Sequence, residues 1–124
     1  MTTPIGRLDE IVIDCLDPLA LSPFWQAVVG GEIVRQSAEW VALVPPSGLT
    51  VSFQQVPEVK AVKNRVHLDI YVDSLAAATV AAEALGATRL GDVVVDSQGG
   101  FQVMLDPAGN EFCFINGDTV IAVD

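Results

Sequence analysis

The chain has 124 residues, 51% of them apolar, which gives room for one domain with an ordinary core. Its net charge of −10, from 16 acidic against 6 basic residues, repels a phosphate backbone and excludes nucleic acid as a natural partner. No apolar stretch approaches the roughly 20 residues of a membrane helix, and MTTPIGRLDE lacks the basic-then-apolar start of a secretory signal, so a cytoplasmic protein is expected.

From the N-terminus, residues 7–15 read as a strand in which Ile11, Ile13 and Cys15 alternate with Glu10, Val12 and Asp14. A turn, DPLAL, leads to Ser22-Pro23, where serine suits a helix cap and proline its first position. The helix that follows carries Phe24, Trp25 and Val28 and stops at Gly30-Gly31. Strands are expected near 32–36, 39–44 and 49–55, then a polar, proline-bearing linker over 56–64. Residues 65–72 alternate strictly, with Val66, Leu68, Ile70 and Val72 opposite Arg65, His67, Asp69 and Tyr71. An alanine-rich helix at 74–85 spaces Leu75, Ala78, Ala82 and Leu85 helically, and strands near 88–95, 101–105 and 110–116 complete the chain.

The two halves repeat one another. IVIDCLD ends at Asp17 and VHLDIYVD at Asp73, and a glycine follows at the same distance from each acid, at Gly30 and Gly86. Each half closes on a proline turn, a glycine and an apolar strand, PPSG-LTVSF and then DPAG-NEFCF. The second half is the longer between its helix-ending glycine, Gly86, and its turn glycine, Gly109, which places its extra residues in the DSQGG hairpin. The fold expected is α+β, with two βαβββ modules over about 7–55 and 65–116, and a tail at 117–124, all in one domain spanning 1–124. Helices would cover the apolar strand faces. The other face collects Glu10, Asp14, Thr50, Ser52, Gln54, His67, Asp69, Tyr71, Glu111 and Cys113. Burying so many polar groups dry would cost about 1–3 kcal/mol for each one left unpaired. Curved half-sheets enclosing a wet, cup-shaped cavity answer that better.

LDEIVIDCLDP, PFWQAVVGGEIV, KNRVHLDIYVDSL, AEALGATRL and MLDPAGNEFCFI together resemble the vicinal oxygen chelate superfamily, which joins glyoxalases, bleomycin resistance proteins and extradiol dioxygenases. Within it, the likeness is to the glyoxalase-like domains. The resemblance implies homodimers and either sequestration of a small molecule or metal-assisted lyase, isomerase or dioxygenase chemistry. Metal-using members place four ligands at positions that correspond here to Glu10, Ser52, His67 and Cys113. Serine and cysteine stand where glutamate is usual, so no complete metal site is expected, with Glu10, His67 and Cys113 as candidate ligands of a possible divalent ion.

The function expected first is therefore a small-molecule-binding protein, its acidity suited to a cationic ligand. The alternative is a metal-dependent enzyme in which Glu10 and His67 act catalytically. Asp14, Trp40, Ser52, Gln54, Asp69, Tyr71 and Cys113 would line the cup, Trp40 by stacking on a planar ligand. Asp69 and Tyr71 read equally well as structural hydrogen-bonding groups, and Glu111 as a surface acid. Cys15 belongs to the helix-facing set, and neither cysteine sits in a CxxC or Cys/His cluster, which suits free thiols in a reducing compartment.

Overall fold

A computed structural model describes residues 2–97 and 99–116. The tail at 117–124 and Gln98 of the DSQGG hairpin lie outside the described residues. The chain divides into two compact units between Val59 and Lys60, within the expected linker.

The first unit runs β1 (Glu10–Cys15), α1 (Pro18–Val29), β2 (Glu32–Gln36), β3 (Trp40–Val44) and β4 (Thr50–Gln55). Its sheet has the order β1-β4-β3-β2, with β1 parallel to β4 and the other pairs antiparallel. Helix α1 begins earlier than the Ser22-Pro23 signal suggests. Asp17 is the cap, its carboxylate accepting from the Ala20 N–H at 3.3 Å, and Pro18 takes the first position. Two cap-proline pairs compete here, and burial decides between them. Starting at Pro18 puts Pro18 and Leu21 into the core, while Ser22 is buried inside the helix and Pro23 remains exposed. Leu21, Phe24 and Trp25 then pack over Val41, Leu43, Val51 and Phe53. Phe24 and Trp25 meet edge to face at 5.4 Å between ring centroids. The helix stops at Gly30, and Gly31 must be glycine because a Cβ there would lie 2.1 Å from the Val44 carbonyl oxygen.

The second unit runs β5 (Leu68–Tyr71), α2 (Leu75–Ala84), β6 (Thr88–Arg89), β7 (Val94–Asp96), β8 (Gly99–Leu105) and β9 (Glu111–Asn116). The order is β5-β9-β8-β6, with β7 also on β8, and β5 is parallel to β9. Ser74 caps α2 through the Ala77 N–H at 3.1 Å. The helix lays Thr79 and Ala82 into a core with Met104, Phe112 and Phe114, where Leu85, exposed, takes no part. The expected strand at 88–95 is broken into β6 and β7. Between them the Gln102 amide donates to the Gly91 carbonyl at 3.1 Å and to that of its neighbour Val103 at 2.9 Å, holding the break in place.

The registers refine the repeat. The helix caps are Asp17 and Ser74, so Ser74, and not Asp73, is the counterpart of Asp17. Glu32 pairs with Val44 and Thr88 with Leu105, which makes Thr88 the counterpart of Glu32 at the start of each hairpin. Val41, which faces Gln36, pairs with Phe53, and Gln102 holds its place in the second module by pairing with Phe114. Counted between these matched positions, most of the extra residues lengthen the β7–β8 hairpin, as the sequence suggests. The remainder widens the break at Leu90–Val93.

Both modules turn into their last strand through a glycine at positive φ, Gly48 (92°) and Gly109 (87°). Asp106, 3% exposed, builds the second turn. Its Oδ1 accepts from the Ala108 and Asn110 N–H groups, both at 2.9 Å. Asp106→Ala should lower the urea unfolding free energy by about 2 kcal/mol, because two backbone donors lose their acceptor. Ser47→Ala, at an exposed position of the equivalent turn, should leave the midpoint unchanged.

Candidate functional site

In the first unit the parallel register sets Glu10, Val12 and Asp14 beside Thr50, Ser52 and Gln54 on the face away from α1. Ala42 pairs with Ser52 and Trp40 with Gln54, which carries that face onto β3. Ser52 is 0% exposed although its face is polar, and it lies between Val12 and Ala42 in the ladder. The Ser52 hydroxyl donates to Glu10 Oε1 at 2.5 Å. A charge-assisted bond to a buried donor holds that carboxylate in one orientation. The Arg35 guanidinium lies 5.9 Å from the Trp40 ring centroid, so one face of the indole already has a cation on it. Asp14 and Gln54 are exposed at the end of the same strands.

In the second unit the corresponding positions are His67, Asp69 and Tyr71 on β5 and its approach, with Glu111, Cys113 and Ile115 on β9. His67 Nδ1 is 3.4 Å from Asp69 Oδ1, and the ligating atoms of His67, Asp69 and Cys113 all lie within 4.8 Å of one another. Cys113 is 8% exposed at the base of this cluster. Burial pushes its thiol above the ordinary range, with the Asp69 charge adding to the effect and Lys63 opposing it. Tyr71 stands further along the strand opposite Ile115 and is exposed. Phe101, Val103 and Leu105 share this face, so it is less polar than the first and last strands alone suggest. Their alternation is masked in sequence by Gln102, a polar residue that is fully buried on the helix side.

Glu111 is not a surface acid. Its side chain is 10% exposed, Lys60 Nζ lies 3.0 Å from Oε1, and the Asn64 N–H donates to Oε1 at 2.8 Å. Burial alone would raise its pKa. The Asn64 N–H and the Lys60 ammonium outweigh that and hold the carboxyl below the ordinary range. The cluster ties residues 60–64 to the start of β9, so this part of the linker belongs to the second unit. No spacing rule signals it, since the partners stand 51 and 47 positions from Glu111 in the chain.

A family model, the glyoxalase-like domain, matches residues 10–115. The chain belongs to the glyoxalase-like domain family. Its fold is also that of solved structures of low identity. A glyoxalase/bleomycin resistance protein/dioxygenase family enzyme from Burkholderia phytofirmans PsJN is 23% identical over 90% of this chain and 98% of its own, with a TM-score of 0.75. The fosfomycin resistance protein FosX from Listeria monocytogenes is 17% identical over 92% and 95%, at 0.74. The oxidase ChaP-H2 is 15% identical over 91% and 94%, at 0.69. A comparison with curated proteins finds no significant match.

For this glyoxalase-like domain, the four-residue metal set implied by the resemblance does not fit. Ser52 offers a neutral hydroxyl, fully buried and donating its proton to Glu10, which is the opposite of a ligand's role. No chemical step is derived through that set. Among the described residues no helix is long and apolar enough to cross a membrane.

The Glu111 carboxyl gives a test of the tether. Its folded pKa is depressed, so its contribution is fully present above the unfolded value and disappears as pH falls through the folded one. Unfolding free energies measured down from neutral pH should fall across and below the ordinary carboxylate range. In Glu111→Gln that part of the acid slope should be missing.

Proposed function

We propose that this glyoxalase-like domain binds a small organic cation on the polar strand face of its first module. The observation that carries this is the Glu10–Ser52 hydrogen bond. It fixes a half-buried carboxylate through one oxygen, while the other has no protein partner among the described residues. A fixed anion on a face that also carries Asp14, Gln54 and Trp40 suits a planar cation, held by charge and by contact with the indole. The net charge of −10 draws such a ligand in from solution. The fold is shared with a drug resistance protein, FosX, and sequestration of a small molecule would ask only for binding. A cytoplasmic setting accompanies the proposal, and a chain with just two cysteines, both buried, suits it.

Proflavine, a planar organic cation, is a suitable probe, read by quenching of tryptophan fluorescence. Glu10→Gln should weaken its binding about tenfold, the loss of one charge-assisted contact. Glu83→Gln removes an equal charge from the exposed side of α2 and should leave the affinity unchanged. Equal losses in both variants would mean that proflavine responds only to net charge, and the proposal would fail.

The same proposal includes a twofold homodimer. Among the described residues each sheet ends in strands paired on one side, β1 and β2 in the first unit, β5 and β6 in the second. Val12, Tyr71, Val94 and Val95 add exposed apolar side chains on these sheets. Light scattering after size exclusion should give twice the chain mass. A single-chain mass at every concentration would remove the dimer.

A further inference from the structure

We propose that residues 62–66 of one chain dock along strand β7 of a second copy, and that the second copy returns the contact. The inference rests on the homodimer proposed above and gives it a surface. It stands apart from the small-molecule proposal.

The basic residues point to the first half of the contact. Three of the chain's 6, Lys60, Lys63 and Arg65, fall close together between Val59 and Val66, and no acid interrupts them. Lys60 is taken up by Glu111, whose Oε1 lies 3.0 Å from its Nζ. Lys63 and Arg65 stay exposed on either side of Asn64, whose N–H donates to the same carboxylate at 2.8 Å. Val62 and Val66, 78% and 74% exposed, bracket the two cations. A stretch anchored at its middle, with valines and cations left exposed around the anchor, suits a surface that is both apolar and acidic.

Strand β7 is such a surface. The sequence over 92–96 is DVVVD, and Asp92, Val93, Val94 and Val95 are all exposed. Val94 pairs with Phe101 and Val95 with Gly100, so successive valines stand on opposite faces of the strand and each face carries an exposed one. Among the described residues β7 pairs with β8, at the edge of the sheet. No lysine or proline blunts that edge, and an edge of this kind takes up an extended chain by continuing the ladder.

The second sheet makes the contact intermolecular. Glu111, the anchor of Lys60 and Asn64, pairs with Leu105 at one end of β8, whereas Val94 pairs with Phe101 near the other. Phe101 faces Ile115, which puts about 13 Å of β9 between the anchor and the level of β7. Beyond Asn64 the chain runs on to β5, on the side of β9 away from β8. The stretch and β7 therefore stand at opposite corners of one sheet. A twofold axis removes the separation, because it sets each corner of one copy against the other corner of its partner and makes the contact twice.

The test uses the full chain, reduced and without an affinity tag, with the dimer dissociation constant read by sedimentation equilibrium. Lys63→Glu combined with Arg65→Glu should weaken dimerisation about tenfold, since each contact is lost twice across the axis. Asp92→Arg should weaken it as well, although it lowers the net negative charge. All three changes together should restore most of the affinity, because the charges are then exchanged. Arg7→Glu combined with Arg89→Glu shifts the net charge as far as the first variant does, at exposed positions outside the contact, and should change nothing. Every substituted position is exposed, and unaltered far-UV circular dichroism checks the fold. A dimer whose affinity ignores the changes at 63, 65 and 92 would overturn this surface and leave the dimer itself standing. So would an equal loss in the Arg7 and Arg89 control, or a triple variant no tighter than the Lys63 and Arg65 pair. A wild-type chain that stays single at every concentration would overturn both.

Discussion

Everything positioned in this fold depends on the parallel pairing of each module's first strand with its last. Parallel neighbours cannot be joined by a tight turn, so the chain must leave the sheet and return through a crossover. Here the crossover is a helix followed by a hairpin, which covers one sheet face and leaves the other open. Parallel register also sets paired residues side by side with their side chains on the same face. Glu10, Val12 and Asp14 thereby meet Thr50, Ser52 and Gln54, and Asp69 meets Cys113. Residues far apart in the chain become neighbours because the ladder admits one register, and a one-residue slip would drive Phe53 or Phe112 out of the core.

Much of this is legible in the sequence because strand alternation and glycine punctuation are local signals. The alternation of 65–72 assigns His67, Asp69 and Tyr71 to one face, and the paired glycines mark where helices and turns end. The start of α1 is not legible in the same way. Asp17-Pro18 and Ser22-Pro23 carry the same local chemistry, and only the burial of Pro18 and Leu21 distinguishes them. The partners of Glu111 leave no sequence signal at all. A lysine and a backbone N–H from the linker meet it through the path of the chain, which no periodicity encodes. The break between β6 and β7 is hidden for a related reason. It is held by the Gln102 amide, and a glutamine in a strand ordinarily points to solvent.

Polar residues on these sheets obey burial more closely than their formal chemistry. Ser52, Gln102 and Asp106 are all nearly inaccessible, and each gives its hydrogen-bonding capacity to a neighbour that needs it. Gln102 keeps one buried acceptor, Oε1, without a partner among the described residues, so holding the broken strand costs the unit part of what it gains. Asp106 and Glu111 accept from backbone N–H groups and therefore serve the chain's course. Glu10 differs in accepting from a side chain, the Ser52 hydroxyl.

The modules repeat in topology but not in chemistry, and the difference falls at one pair of ladder positions. Where the first has valine facing serine, the second has aspartate facing cysteine, each with a titratable residue two places earlier. A hydroxyl has a proton to give, so Ser52 anchors Glu10 and in doing so ceases to be a ligand itself. A thiol gives its proton poorly as a hydrogen-bond donor, and beside Cys113 the His67 and Asp69 side chains meet each other instead, Nδ1 to Oδ1 at 3.4 Å. One substitution class at equivalent positions thus separates an anchored anion from a cluster of donors. The two modules share one register, and oxygen or sulfur at its buried position goes with a different polar contact in each, Ser52 to Glu10 in the first and His67 to Asp69 in the second.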